Sequence, residues 1–85
     1  MKKKGTEGAA LAQELYAKAF TGLRDPRSDE YKAGVRAALL YRLDGRQIKC
    51  PYLVGTAQAD AFYSGLDEGH RIFREYEAAK NGIQK

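Results

Sequence analysis

Residues that commonly hold small proteins together are scarce in this sequence, which has one cysteine, one histidine and no tryptophan. Cys50 alone cannot form an intramolecular disulfide, and Cys50 with His70 is too small a ligand set for a structural zinc site. A chain of 85 residues has room for one hydrophobic core. We therefore expect one small domain over residues 6–82 without metal or cofactor, stabilised by helix packing or, as we favour, by forming a homodimer.

Long apolar runs are also missing. No stretch approaches the roughly 20 apolar residues of a membrane span, and the Lys-rich beginning lacks the apolar core of a signal peptide. One unpaired cysteine without such a signal fits a reducing compartment. We expect a cytoplasmic protein that does not contact membranes.

Side chains that could carry out catalysis are few. Cys50 beside Lys49 is a candidate nucleophile, but the single candidate base, His70, lies twenty positions further on. Asp67 and Glu68 are adjacent, so a helix directs them to different sides. No glycine-rich phosphate-binding loop follows a strand. We expect no catalytic residues and a protein that is not an enzyme.

Positive charge is concentrated in the first part of the chain. Residues 1–50 hold eleven Lys/Arg against six Asp/Glu, whereas residues 51–85 hold four against five. This asymmetry favours contact with a polyanion through one half of the molecule. It is also typical of small domains that carry surface charge for solubility, so both interpretations are open.

Apolar residues at helical spacing predict an all-α fold with three helices. The helices are expected at about 7–23, from 26 or 28 to 43, and at 57–80, and residues 1–5 are expected to form a disordered basic tail. Between the second and third helices, Pro51 enforces an extended connector containing the tract C-P-Y.

Helix caps can be assigned from short polar side chains. Thr6 and Thr56 are the expected N-caps of the first and third helices. The second helix has two candidates, Asp25 followed by Pro26, or Ser28. Gly45 is expected to end the second helix, since glycine is favoured just after a helix C-terminus.

Small residues recur every fourth position on the second and third helices. Side chains this small let two helices approach closely. They predict a helix-packing or dimer face formed by Gly34, Ala38, Ala61, Gly65 and Gly69.

Cations and aromatic rings alternate around the connector. Tyr41 and Tyr52 lie among four basic residues, a pattern typical of single-stranded RNA binding through phosphate contacts and base stacking. The alternative is that the tyrosines belong to the core and the basic residues to a solvated face. The basic residues are Arg36, Arg42, Arg46 and Lys49.

The connector and the helices around it resemble the ribosome modulation factor family over roughly residues 29–76. The family's connector contains C-P-Y or N-P-Y, and an aromatic-x-x-Gly pattern follows in the next helix. The matching residues are Cys50, Pro51 and Tyr52 in the connector, Tyr31, Gly34, Arg36 and Ala37 before it, and Phe62, Gly65, Leu66 and Gly69 after it. The tryptophans usual in the family are absent, and the first predicted helix has no counterpart in the short family members.

This resemblance implies a small, basic, helical protein that docks on the small ribosomal subunit near the messenger-binding region. The factor that gives the family its name promotes inactive ribosome pairing. The resemblance implies that ribosomal RNA is contacted by Arg36, Arg42, Arg46, Lys49, Cys50, Pro51 and Tyr52. The alternative function is a phage- or plasmid-encoded interaction module that inhibits a protein partner as a helical homodimer.

Overall fold

The computed structural model describes residues 4–21 and 27–80, with side chains from residue 8 onward, and this part of the chain contains three helices and no strand. Helix α1 spans Lys4–Phe20, α2 spans Asp29–Asp44, and α3 spans Ala57–Lys80. The predicted all-α, three-helix fold is confirmed. Among these three helices, none combines the length and the apolar composition that crossing a bilayer would need.

The ends of α2 and α3 follow local side-chain chemistry. Ser28 caps α2, because its Oγ accepts a hydrogen bond from the backbone N–H of Tyr31 at 3.1 Å. Gly45 ends α2 with a φ of 70°, a left-handed conformation that glycine adopts without strain. Thr56 caps α3 by accepting from the N–H of Ala59 at 3.2 Å. Ser28 is therefore the cap of α2, rather than the pair Asp25–Pro26.

Helix α1 differs from its predicted bounds at both ends. It begins at Lys4, so Thr6 lies inside the helix and is not its cap. Lys4 and Gly5 were expected in the tail but belong to α1, since glycine weakens a helix without blocking it. The helix ends at Phe20, and the predicted end at Leu23 falls outside the described residues, as do residues 1–3 of the predicted tail.

Helix α2 packs between α1 and α3. Gly8 of α1 lies against Leu43 near the end of α2, and Ala12 packs with Val35 and Leu39 in the buried core, so α1 runs antiparallel to α2. A phenylalanine of α3, Phe62, is one of the three largest fully buried side chains. The core therefore depends on one central helix that is covered on two sides.

Helices α2 and α3 run in the same direction. Tyr31, early in α2, contacts Gly65, and Val35, one turn later, contacts Gly69. Two parallel helices cannot be joined by a tight turn. The connector, residues 45–56, therefore has to return along the length of α2 before α3 begins.

The small-residue faces meet within this one chain. A methyl group on Gly34 would overlap the carbonyl oxygen of Phe62, and one on Gly65 would overlap that of Tyr31. A methyl group on Gly69 would lie 2.6 Å from Cβ of Ala38. This face is occupied by α2–α3 packing, which corresponds to the first of its two predicted uses, a helix-packing face or a dimer face. Of the predicted set, Gly34, Ala38, Gly65 and Gly69 are buried and Ala61 is half-buried.

Candidate nucleic-acid interface

The returning connector forms a groove with α1 and α2 that is rich in positive charge. We call it the basic groove. It has a volume of about 630 Å³. Its cationic residues are Lys32 and Arg36 of α2 with Arg46 and Lys49 of the connector, and it is also lined by Tyr16, Asp29, Ala33, Ala37, Leu40, Pro51 and Phe62.

Helical spacing and chain reversal together bring the four cations to one surface. Lys32 and Arg36 are four residues apart, so they occupy the same face of α2. Arg46 and Lys49 follow the end of α2 in sequence, and the connector carries them back beside that face. Three of the predicted RNA-contacting cations are thus found together, and Lys32 joins them. Lys32 was not among the predicted site residues, although its i, i+4 spacing from Arg36 could have identified it.

Acidic side chains compensate only part of the charge in the basic groove. The Nε of Arg46 donates to Oδ2 of Asp44 at 2.6 Å, and the Asp44 side chain is only 6% exposed. This ion pair fixes the beginning of the connector against the end of α2. Asp29 also lines the groove. Arg36 and Lys49 are exposed and form no ion pair with the described residues.

Aromatic side chains play two different roles here. Tyr16 of α1 is half-buried, lines the basic groove and meets Phe20 edge-on at 5.1 Å between ring centroids. Tyr52 is half-buried and packs edge-on against buried Phe62 at 6.0 Å. Tyr16 also packs against the buried core, and it was not predicted as a site residue. Phe62 is the other ring that lines the groove. Tyr52 holds the connector on the core.

Cys50, like Tyr52, belongs to the part of the connector that lies against the core. Its side chain is half-buried, and its Sγ lies 3.7 Å from the backbone oxygen of Tyr52. A hydrogen bond with Cys50 also raises the pKa of Tyr63, with smaller contributions from the charge of Cys50 and from burial. Pro51, between Cys50 and Tyr52, is exposed and lines the basic groove. Of the C-P-Y tract, only the proline faces the groove.

Arg42 lies away from the basic groove. Its Nε donates to Nδ1 of His70 at 3.1 Å, and its guanidinium lies over the ring of Phe73, 5.1 Å from the centroid. Burial lowers the pKa of His70, and the charges of Arg42 and Arg74 lower it further, while Asp67 opposes them. The predicted grouping of Arg42 with the connector cations is therefore wrong, because its position on α2 directs it toward α3.

Two large apolar side chains are exposed at the end of the connector. Leu53 is 79% exposed and Val54 91% exposed. A turn places them there: the N–H of Thr56 donates to the oxygen of Leu53 at 3.3 Å, and Gly55 takes a φ of 86°. We call Leu53 and Val54 the apolar tip. The sequence analysis did not select them.

Comparison of the chain with protein-family models, with curated proteins and with solved structures gave no match. Within residues 4–21 and 27–80, no three His, Cys, Asp or Glu side chains come together in a way that could hold a metal ion. The basic groove combines four cationic side chains with apolar lining residues.

Proposed function

We propose that this protein is a small non-enzymatic regulator that binds single-stranded RNA of the ribosome in the basic groove. The observation that carries this proposal is the meeting of four cations from two separate segments, Lys32 and Arg36 with Arg46 and Lys49, on one concave surface. Such a surface attracts a phosphate backbone irrespective of sequence.

The floor of the basic groove supports an unpaired strand over a duplex. Ala33, Ala37, Leu40 and the ring of Tyr16 are apolar surfaces between cations. Unpaired bases can be turned toward such surfaces and stacked on an aromatic ring while their phosphates contact Lys and Arg. In an RNA duplex the bases are already stacked and paired, so the floor would gain no contact.

The ribosome as the source of this RNA is supported by the resemblance of residues 29–76 to the ribosome modulation factor family. The C-P-Y tract that carries the resemblance provides Pro51 to the basic groove, and Lys49 directly before it lines the groove as well. By this proposal the protein docks on the small subunit, where it would regulate translation.

Two measurements test the proposal. The first compares the affinity of the protein for a labelled single-stranded RNA with its affinity for the same sequence in a duplex, and the second is co-sedimentation with small ribosomal subunits. We expect tighter binding to the single strand. With four phosphate contacts, the logarithm of the association constant should fall with the logarithm of salt concentration with a slope of about −3. Equal affinity for strand and duplex, or binding that salt does not weaken, would contradict the proposal.

A second candidate function, a protein-binding module that acts as a homodimer, is favoured by the apolar tip. Leu53 and Val54 expose more of their surface than any other large apolar side chains in the described part of the chain. Tyr63, which is 49% exposed, adds further aromatic surface. Exposed side chains of this kind are candidates for burial at an interface.

Sedimentation analysis of the protein and of Leu53→Ser plus Val54→Ser tests this second candidate. If the apolar tip joins two copies, the unmodified protein sediments as a dimer and the variant as a monomer, because the buried apolar area is lost. A control change of Ala78→Ser, on an exposed position of α3, should leave the dimer intact. A monomeric unmodified protein would exclude the homodimer.

A further inference from the structure

A second group of cations and aromatic rings lies outside the basic groove, where the end of α2 meets α3. It contains Tyr41 and Arg42 of α2 with His70, Phe73 and Arg74 of α3. We call it the Arg42–His70 cluster. None of its members lines the basic groove.

The guanidinium of Arg42 is held in place by two contacts. Its Nε donates to Nδ1 of His70 at 3.1 Å, and its central carbon lies 5.1 Å from the centroid of the Phe73 ring. These contacts leave its two terminal NH₂ groups as donors at an exposed position. A positioned guanidinium binds an oxyanion with less loss of side-chain freedom than a mobile one.

Two arginines and one carboxylate, Asp67, act on His70, so positive charge exceeds negative charge around it. Arg74 follows His70 by one helical turn, and Arg42 approaches from α2. Neither arginine forms an ion pair with any described residue. Two other arginines are paired: Arg46 with Asp44, and Arg71 with both Glu68 and Glu75.

The hydrogen-bonding state of His70 adds a further donor. Burial and the two arginines lower the pKa of His70, and Asp67 is the one facing carboxylate that opposes them. Because Nδ1 accepts from Arg42, the proton of the neutral ring is assigned to Nε2. The cluster thus presents donors from Arg42, His70 and Arg74, which suits an oxyanion.

We propose that the Arg42–His70 cluster binds the phosphate group of a nucleotide, with the base lying on the ring of Tyr41. Tyr41 is 49% exposed, and its ring stands perpendicular to that of His70 at 6.3 Å between centroids. An exposed tyrosine ring next to a phosphate site stacks any base. The nucleotide is either free in solution or part of an RNA strand, and the site is independent of the basic groove.

NMR titration of His70 with AMP tests this inference directly, because the chain has a single histidine and its imidazole signals therefore need no assignment among several rings. We expect saturable shifts and a rise in the pKa of His70, since a bound phosphate favours the charged imidazole. Arg42→Gln plus Arg74→Gln should weaken AMP binding at least about tenfold. Tyr41→Ala should weaken the binding of AMP but leave that of inorganic phosphate unchanged.

Matched controls separate this site from simple screening and from the basic groove. Arg36→Glu plus Lys49→Glu changes the groove only, so its His70 signal should respond to AMP as the unmodified protein does. In that variant, a single-stranded oligoadenylate is added to compete with AMP. If it displaces AMP, the site binds part of an RNA strand; if it does not, the site binds free nucleotides. The inference is overturned if chloride or acetate at equal ionic strength shifts the His70 signals as much as AMP does. It is also overturned if the Arg42→Gln plus Arg74→Gln variant binds AMP as tightly as the unmodified protein.

Discussion

Gly34→Ala will lower the free energy of unfolding by about 3 kcal/mol or more, although alanine is the better helix former by roughly 1 kcal/mol. The added methyl group would overlap the carbonyl oxygen of Phe62 and lie 3.0 Å from Cα of Gly65. Both are backbone atoms, so no side-chain rotation can relieve the overlap, and α2 and α3 must separate along their length. Denaturant unfolding followed by circular dichroism measures the change, with a melting temperature lower by more than about 10 °C.

Ser64→Ala is the matched control for this prediction. Ser64 is exposed on α3 beside Gly65, and the change introduces the same residue without a new contact. Its effect should stay within about 0.5 kcal/mol. If Gly34→Ala instead unfolds at the same denaturant concentration as the unmodified protein, the close approach of α2 and α3 described here is incorrect.

The helices themselves were predictable because their signals are local. Ser28, Gly45 and Thr56 act within three or four residues of their own positions, and each ends or begins a helix where the sequence places it. The small-residue rows were also readable, since Gly34 and Gly65 recur at helical spacing. Whether those rows join two helices of one chain or two chains cannot be read from spacing. The contacts of Gly34, Gly65 and Gly69 between the parallel helices α2 and α3 show that these rows join two helices of one chain.

The basic groove was predictable only in part, because it is formed by chain reversal. Arg46 and Lys49 lie ten residues or more beyond Arg36, and they become neighbours of Arg36 only when the connector returns along α2. Arg42 is nearer to the connector in sequence, yet it is about 1.7 turns further along α2 than Arg36, which directs it toward His70. Sequence proximity therefore grouped the wrong arginine with the connector.

Tyr52 illustrates a further limit of sequence pattern. An aromatic residue among cations is typical both of a stacking surface and of a core anchor, and only its contacts in the folded chain separate the two. Its contact with Phe62 shows that it anchors the connector. Phe62 also lines the basic groove and contributes its carbonyl to the Gly34 contact, so helix packing and groove shape depend on the same residue.

Arg36→Glu plus Lys49→Glu will reduce the affinity for single-stranded RNA at least about a hundredfold at low salt. These two cations line the basic groove from α2 and from the connector, and neither forms an ion pair with a described residue. Reversing their charges therefore changes the electrostatic potential of the groove without breaking an internal contact. Arg46 is less suitable for this test, because its loss would leave the buried carboxylate of Asp44 without its partner.

The control for charge reversal is Lys18→Glu plus Lys80→Glu, which changes the net charge equally at two exposed positions outside the basic groove. RNA affinity should change by less than about threefold, since neither side chain lines the groove and salt screens the attraction of charges that do not contact the RNA. Neutralising the groove pair with glutamine should reduce the salt slope from about −3 to about −1.5. Fluorescence anisotropy across a salt series measures all three variants. Equal losses in the groove and control variants would show that net charge, rather than this groove, attracts the RNA.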